Sequence, residues 1–154
     1  LGWLFNHPFF ISIAVIRFFC EDIDFKVPQP IRTKRWLQQV AQKEGAHLNA
    51  LNYIFCSDEY LHQLNVQFLQ HNTLTDVITF DYSEHSIETG VEGDIYISIE
   101  RVNANGLELA LSFEEELRRV MVHGLLHLLG YFDKTTIQKG EMTSKENLYL
   151  SNFS

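Results

Sequence analysis

The segment that most constrains this chain is the run SFEEELRRVMVHGLLHLLGYFDK, residues 112–134. From Val120 to Leu129 it is apolar on nearly every side except at His123 and His127, and a helix that apolar must be buried. Ser112 with Glu115 three residues on forms a capping box that starts it, and Gly130 ends it. Such a helix needs a layer to pack against, and 154 residues, 45% of them hydrophobic, suffice for one domain with a core but not for two. No repeat of about 20 to 50 residues and no Ser/Gly/Pro-rich linker interrupts the chain, so residues 1–154 are expected to form a single domain.

Local signals supply the other layers. Ile11 to Cys20 is β-branched and aromatic and reads as a strand. After Pro28 and Pro30, residues 33–44 carry Trp36, Leu37 and Val40 at helical spacing, with a basic start and Gly45 as the stop. Ala50 to Cys56 reads as a second strand, followed by a helix opened by Ser57 with Tyr60, Leu61, Leu64 and Phe68 as its apolar face. DVITFDY (76–82) and GDIYIS (93–98) alternate at period two and are suited to pair as an antiparallel hairpin. Residues 99–110 suggest a helix weakened by Gly106, and Thr135 or Thr136 caps a last helix through about Leu150. The expected fold is α+β, with a small mixed four-stranded sheet and about five helices, one of them a zincin-like metal helix.

Composition excludes several classes of function. With 12 Lys and Arg against 20 Asp and Glu, the formal charge of −8 repels polyanions at long range, so bulk charge does not suggest nucleic acid. Cys20 and Cys56 lie in apolar surroundings and read as buried thiols in a reducing compartment. The apolar N-terminus is broken by Asn6-His7-Pro8, and Phe9 to Ile16 is far short of the ~20 residues that span a bilayer. A cytoplasmic protein without membrane attachment is expected, with residues 1 to about 11 an extension outside the fold.

The chemistry concentrates at His123 and His127. At i and i+4 two imidazoles project from one helix face, close enough for both nitrogens to reach one metal ion. Buried core histidines are the alternative, but each would then need its own polar partner among leucines. Gly130 lies three residues after His127 and Asp133 six after it, the intervals of the metzincin pattern H-E-x-x-H-x-x-G-x-x-H. Asp133 is thus the candidate third ligand, and three protein ligands leave a position for water, as catalytic sites do. Gly124 stands where a metalloprotease carries its general-base Glu, which argues against peptide hydrolysis. The base must come from elsewhere, with Asp76 and Asp94 as candidates.

These residues carry a family resemblance. HGLLHLLGY followed by Asp133 resembles the H-G-x-L-H-L-x-G-Y-D-H signature of the YbeY family, LNVQFLQHNTLTDVITF resembles its L-N-x-x-[YF]-R-x₄-P-T-D-V-L-S-F segment, and GDIYIS resembles its G-D-I-x-I-S strand. The resemblance spans about residues 57–135 and implies a metal-dependent, single-strand-specific endoribonuclease. The implied role is 16S rRNA 3′-end maturation and ribosome quality control, with rRNA and the ribosome or its proteins as partners. It makes His123 and His127 ligands of one Zn2+ per chain and sets Asp133 where a third histidine is common.

The resemblance also places Thr75 and Asp76 beside the site, Thr75 toward substrate and Asp76 as the candidate catalytic carboxylate. Leu69 stands where the family carries an active-site arginine, and a leucine cannot clamp a phosphate. His71, or Arg32, Lys34 and Arg35, are the candidates to replace that contact. The same departure leaves a second reading, a ribosome-assembly factor with a structural metal and little nuclease activity. A metallohydrolase of peptides or small molecules ranks last.

Overall fold

A computed structural model describes residues 15–69, 75–83 and 90–154. Its strands are β1 (Ile16–Cys20), β2 (Leu48–Cys56), β3 (Val77–Asp81) and β4 (Val91–Ser98). Its helices are α1 (Pro30–Lys43), α2 (Asp58–Leu69), α3 (Ile99–Leu109), α4 (Phe113–Leu128) and α5 (Thr136–Ser151). Among the described residues the expected α+β architecture, a mixed four-stranded sheet with five helices, is what forms. No helix among the described residues is long and apolar enough to cross a membrane.

Strand order is β1-β2-β4-β3. β1 and β2 are parallel, as are β2 and β4, while β3 runs antiparallel to β4 with Val77 opposite Ile97 and Asp81 opposite Gly93. Parallel neighbours require crossovers, and α1 provides the one between β1 and β2. Alternation along the strands divides the molecule into two apolar layers. Leu51, Tyr53 and Phe55 of β2 and Ile95 and Ile97 of β4 join Leu117, Met121, Leu125 and Leu126 of α4 in the main core, together with Trp36, Leu37 and Val40 of α1. Cys56, Leu61 and Ile78 pack with Tyr60, Leu64, Phe80 and Tyr96 in a smaller cluster involving α2.

Helix limits follow from local chemistry. Pro30 at the first turn starts α1 three residues earlier than apolar spacing alone indicates. Ser112 accepts from the Glu115 N–H to open α4, and Gly130 at φ 103° leaves it in a conformation that favours glycine. Thr135 and Gln138 form a reciprocal capping box at the head of α5.

Two expectations fail. Cys56 is buried, and burial together with the nearby charges of Asp22, Glu21 and Asp58 pushes its thiol up to about 12. Cys20 is exposed, its thiol donating to the Phe25 carbonyl, because it ends an edge strand whose buried residue is Ile16. Phe68, expected on the apolar face of α2, is 57% exposed, since β3 is the edge strand and offers it only an edge-on contact with Phe80. Residues 11–14 of the first expected strand, and the proposed N-terminal extension, lie outside the described residues.

A carboxylate ties distant elements together near the end of α4. Glu44, at the end of α1, accepts from the Tyr131 and Tyr149 hydroxyls and from the Lys145 ammonium at 3.0 Å. Burial opposes its charge, but these donors outweigh burial and hold the Glu44 carboxyl below its ordinary pKa. A depressed carboxyl contributes stability above its unfolded pKa and loses it as pH falls through the folded one. Glu44→Gln is therefore expected to cost about 1–3 kcal/mol at neutral pH. In urea titrations the gap to wild type should close as pH drops below the ordinary glutamate range.

Candidate metal centre

Helix α4 lies flush against the sheet at Gly124. A Cβ there would sit 2.7 Å from Cγ2 of Ile95 in β4, closer than real side chains approach. The position that holds a general-base glutamate in metalloproteases thus has no room for any side chain here. The same helix turns His123 and His127, both partly exposed, toward a cavity of about 370 Å³. Asn65 and Leu69 of α2, Thr75, Asp76, residues 77–79 of β3 and Asp133 complete its walls.

The two rings stand nearly perpendicular, 84° apart, with their Nε2 atoms 3.0 Å from each other. Asp133 Oδ2 lies 3.3 Å from each Nε2. Gly130 makes this possible, since the chain leaves α4 there and swings Asp133 back over the last turn. The opposite ring nitrogens fix the protonation pattern. His127 Nδ1 faces the Tyr131 carbonyl at 3.0 Å, an acceptor only, so it must carry the proton. His123 Nδ1 faces a Glu146 carboxylate oxygen at 2.6 Å and donates to it. In the neutral rings of this tautomer both Nε2 lone pairs converge with a carboxylate oxygen.

Such a triangle calls for a cation at its centre. Two nitrogens bound tetrahedrally to one ion at 2.0–2.1 Å stand roughly 3.3 Å apart, close to the three separations here. His123, His127 and Asp133 offer donor atoms all within 4.8 Å of one another and could hold a metal ion. Burial works against a charged His123, yet the hydrogen bond and charge of Glu146, with Asp76 and Asp133 nearby, outweigh it and raise the imidazole pKa. A more basic imidazole is also a stronger metal donor.

Sequence reasoning missed the residues that support this arrangement. Glu146, on α5 and buried, is itself held by Arg119 at 3.1 Å, whose guanidinium also donates to Asn147 and lies 3.9 Å from the buried Glu116. No local spacing links position 146 to position 123, so only the docking of α5 against α4 brings them together. Asn105 of α3 donates to Asp76 Oδ2 at 3.3 Å, and the Asp76 carbonyl accepts from the Ser98 N–H. Asn65, buried in the cavity wall, was also unforeseen.

Of the two candidate bases, Asp76 lines the cavity. Burial pushes its carboxyl pKa up, more than the charges of His123 and Arg101 lower it. Asp94 does not reach the cavity: it alternates with the core residues Gly93 and Ile95 on β4, and there it bonds Asn52 and Tyr82. Thr75 lines the cavity and donates to the Val77 carbonyl at 3.3 Å. Leu69 lines it too, 41% exposed, and among the described lining residues there is no Lys or Arg. Arg32, Lys34 and Arg35 do not replace it. They sit on α1, where Arg32 packs over the Phe153 ring and Lys34 over Phe18. His71 lies outside the described residues.

Comparison with known proteins decides what this arrangement belongs to. The family model described as Endoribonuclease YbeY matches residues 20–154. The chain belongs to the endoribonuclease YbeY family. Proteins named Endoribonuclease YbeY are 50% identical in Amoebophilus asiaticus, over 89% of this chain and 92% of the relative, and 49% identical in Cytophaga hutchinsonii, over 88% and 94%. The solution structure of TM1509 from Thermotoga maritima superposes with a TM-score of 0.64 at 31% identity, covering 90% of this chain and 88% of that one. Within the YbeY helix, the contact at Gly124 is open to test. Gly124→Ala is expected to destabilise the fold by about 1–3 kcal/mol through overpacking against Ile95. Its melting temperature beside that of Gly140→Ala, where an added Cβ meets nothing within 4 Å, measures the effect.

Proposed function

We propose that this protein is a zinc-dependent, single-strand-specific endoribonuclease of the cytoplasm that acts in 16S rRNA 3′-end maturation and ribosome quality control. YbeY membership makes it a metal-dependent endoribonuclease, a hydrolase of RNA. The observation that carries the finer reading is the convergence of His123 Nε2, His127 Nε2 and Asp133 Oδ2 at 3.0–3.3 Å in the wall of an open cavity. We assign these three as ligands of one Zn2+ per chain, because two imidazoles and a carboxylate suit zinc. A bound zinc ion supplies Lewis-acid stabilisation of charge developing at phosphorus and lowers the pKa of coordinated water.

The remaining roles fall to this chain's own groups. Asp76, with a raised pKa and one oxygen held by Asn105, is the candidate to take up a proton from attacking water. Thr75 on the cavity wall, and His71, are the candidate substrate contacts. Glu146 holds His123 by its Nδ1 proton and the Tyr131 carbonyl holds His127, so both rings present Nε2 to the same point. The rRNA, delivered on the ribosome or by its proteins, is the expected partner.

A second reading, an rRNA assembly factor with a structural metal, is favoured by Leu69 in the cavity wall, with no guanidinium among the described lining residues to grip phosphate. The two separate in one experiment, cleavage of an rRNA precursor fragment by wild type and His127→Ala with metal content determined on both. Cutting by the wild type alone, with about one zinc per chain, supports the nuclease. A folded His127→Ala protein that fully supports ribosome maturation would establish the assembly factor. At the ligands, Asp133→Ala should lose the metal and Asp133→His keep it. Glu146→Gln is expected to weaken zinc binding about 10–100-fold in competition titrations, and unchanged affinity would remove Glu146 from any supporting role.

A further inference from the structure

In a chain of net charge −8, helix α1 reads PIRTKRWLQQVAQK and carries Arg32, Lys34, Arg35 and Lys43 with no acidic residue. Thr33, Trp36, Leu37, Val40 and Ala41 are buried, so the cations occupy the outward side, with Arg35 and Lys43 exposed and Arg32 and Lys34 partly so. From Arg32 to Lys43 the helix extends about 16 Å. Its N-terminus has no side-chain cap and no carboxylate in the first turn, which leaves the positive end of its dipole uncompensated.

A second element adds to this face. Phe153, held edge-on by Trp36, receives the Arg32 guanidinium 4.3 Å from its centroid and the Arg118 guanidinium of α4 at 4.4 Å. Two like charges are thus held against one ring. The ion pairs among the described residues use Arg101, Arg119, Lys145 and the two site histidines, and none uses Arg32, Lys34, Arg35, Lys43 or Arg118. Arg32 Nε is buried without a partner. An overall acidic protein that gathers four cations without ion pairs on one helix, and holds one of them with Arg118 of α4 against a single aromatic ring, has a surface complementary to a chain of phosphates.

We propose that the outer face of α1, with Arg118, is a docking surface for the sugar-phosphate backbone of RNA, separate from the metal cavity. None of these cations lines that cavity. Arg118 and His123 are five residues apart on α4, about 140° around the axis, so RNA held on α1 reaches the metal centre only by passing around the helix. The surface therefore grips the substrate away from the cut and supplies cationic phosphate contacts, which the described lining of the cavity, with Leu69 and no Lys or Arg, does not. Naming RNA as the ligand rests on the nuclease reading above, whereas the phosphate-binding face stands on the charge pattern.

The test uses the full chain and a fluorescein-labelled single-stranded RNA of about 30 nucleotides, with binding read by anisotropy in chelator across a salt series. Arg35→Glu/Lys43→Glu is the main variant, since both residues are exposed and neither ion-pairs in the structure. It is expected to weaken binding at least about tenfold at low salt and to flatten the log–log salt slope by roughly 1.4, two contacts at about 0.7 each. Arg32→Ala/Arg118→Ala should act the same way, with circular dichroism reporting whether the Phe153 clamp still folds. Unchanged affinity and slope in Arg35→Glu/Lys43→Glu overturn the proposal. Equally tight binding of a poly-glutamate peptide through the same residues overturns the assignment to RNA. The same RNA is also incubated with the zinc-loaded protein in the absence of chelator: patch-dependent binding with no cleavage there leaves this surface standing and removes the nuclease reading, while cleavage with patch-independent binding does the reverse.

Discussion

The contact between α4 and β4 at Gly124 and Ile95 is the constraint on which the rest depends. With no side chain at position 124, the helix backbone approaches the sheet closely, and Leu117, Met121, Leu125 and Leu126 enter the main core. Apolar burial on that scale, on the order of 1.5–3 kcal/mol per large side chain, fixes the rotation of the helix about its axis. That rotation aims His123 and His127 at the cavity. The glycine that rules out a protease-like glutamate is therefore also what seats the helix face that carries the two histidines.

Around the imidazoles the fold assembles an unusual density of acid groups. Asp76, Glu116 and Glu146 all sit in or near the α4 layer, and burial raises the pKa of Asp76 and of Glu116, the latter also through the charge of Asp76. Buried carboxylates destabilise a fold unless partnered, and Arg119 and Asn105 provide partners for Glu146 and Asp76. The donor set then has net negative character, which suits a divalent cation better than three neutral imidazoles would. On the other side of α4 the sign reverses, with Arg118 and the cations of α1 in none of the ion pairs among the described residues. One helix thus separates a cation-seeking pocket from an anion-seeking face.

Much of the fold was legible because its signals are local. Period-two alternation in DVITFDY and GDIYIS, the caps at Ser112 and Thr135, and the stops at Gly45 and Gly130 each depend on residues within one turn or strand of each other. The failures share a cause as well. Cys20 has apolar neighbours in sequence but ends an edge strand, and Phe68 keeps helical spacing but faces the sheet's border. Burial at such positions depends on how far the opposing layer extends. By sequence the basic start of α1 is a candidate stand-in for the phosphate contact at the site, yet the crossover from β1 to β2 carries it away from the cavity.

Sequence alone determined the three residues that could hold a metal ion, because i, i+4 spacing on a helix and a glycine exit at a fixed interval dictate which atoms can converge. His123, His127 and Asp133 need no knowledge of the rest of the chain. Tertiary structure alone decided everything that acts on those three from a distance: Glu146 on His123, Asn105 on Asp76, the choice of Asp76 over Asp94, and the placing of Leu69 in the cavity wall. Strand alternation put Asp94 on the sheet face away from the histidines, and helix docking put Glu146 beneath one of them. Neither is encoded at any fixed spacing, since both follow from which faces of distant elements are buried together.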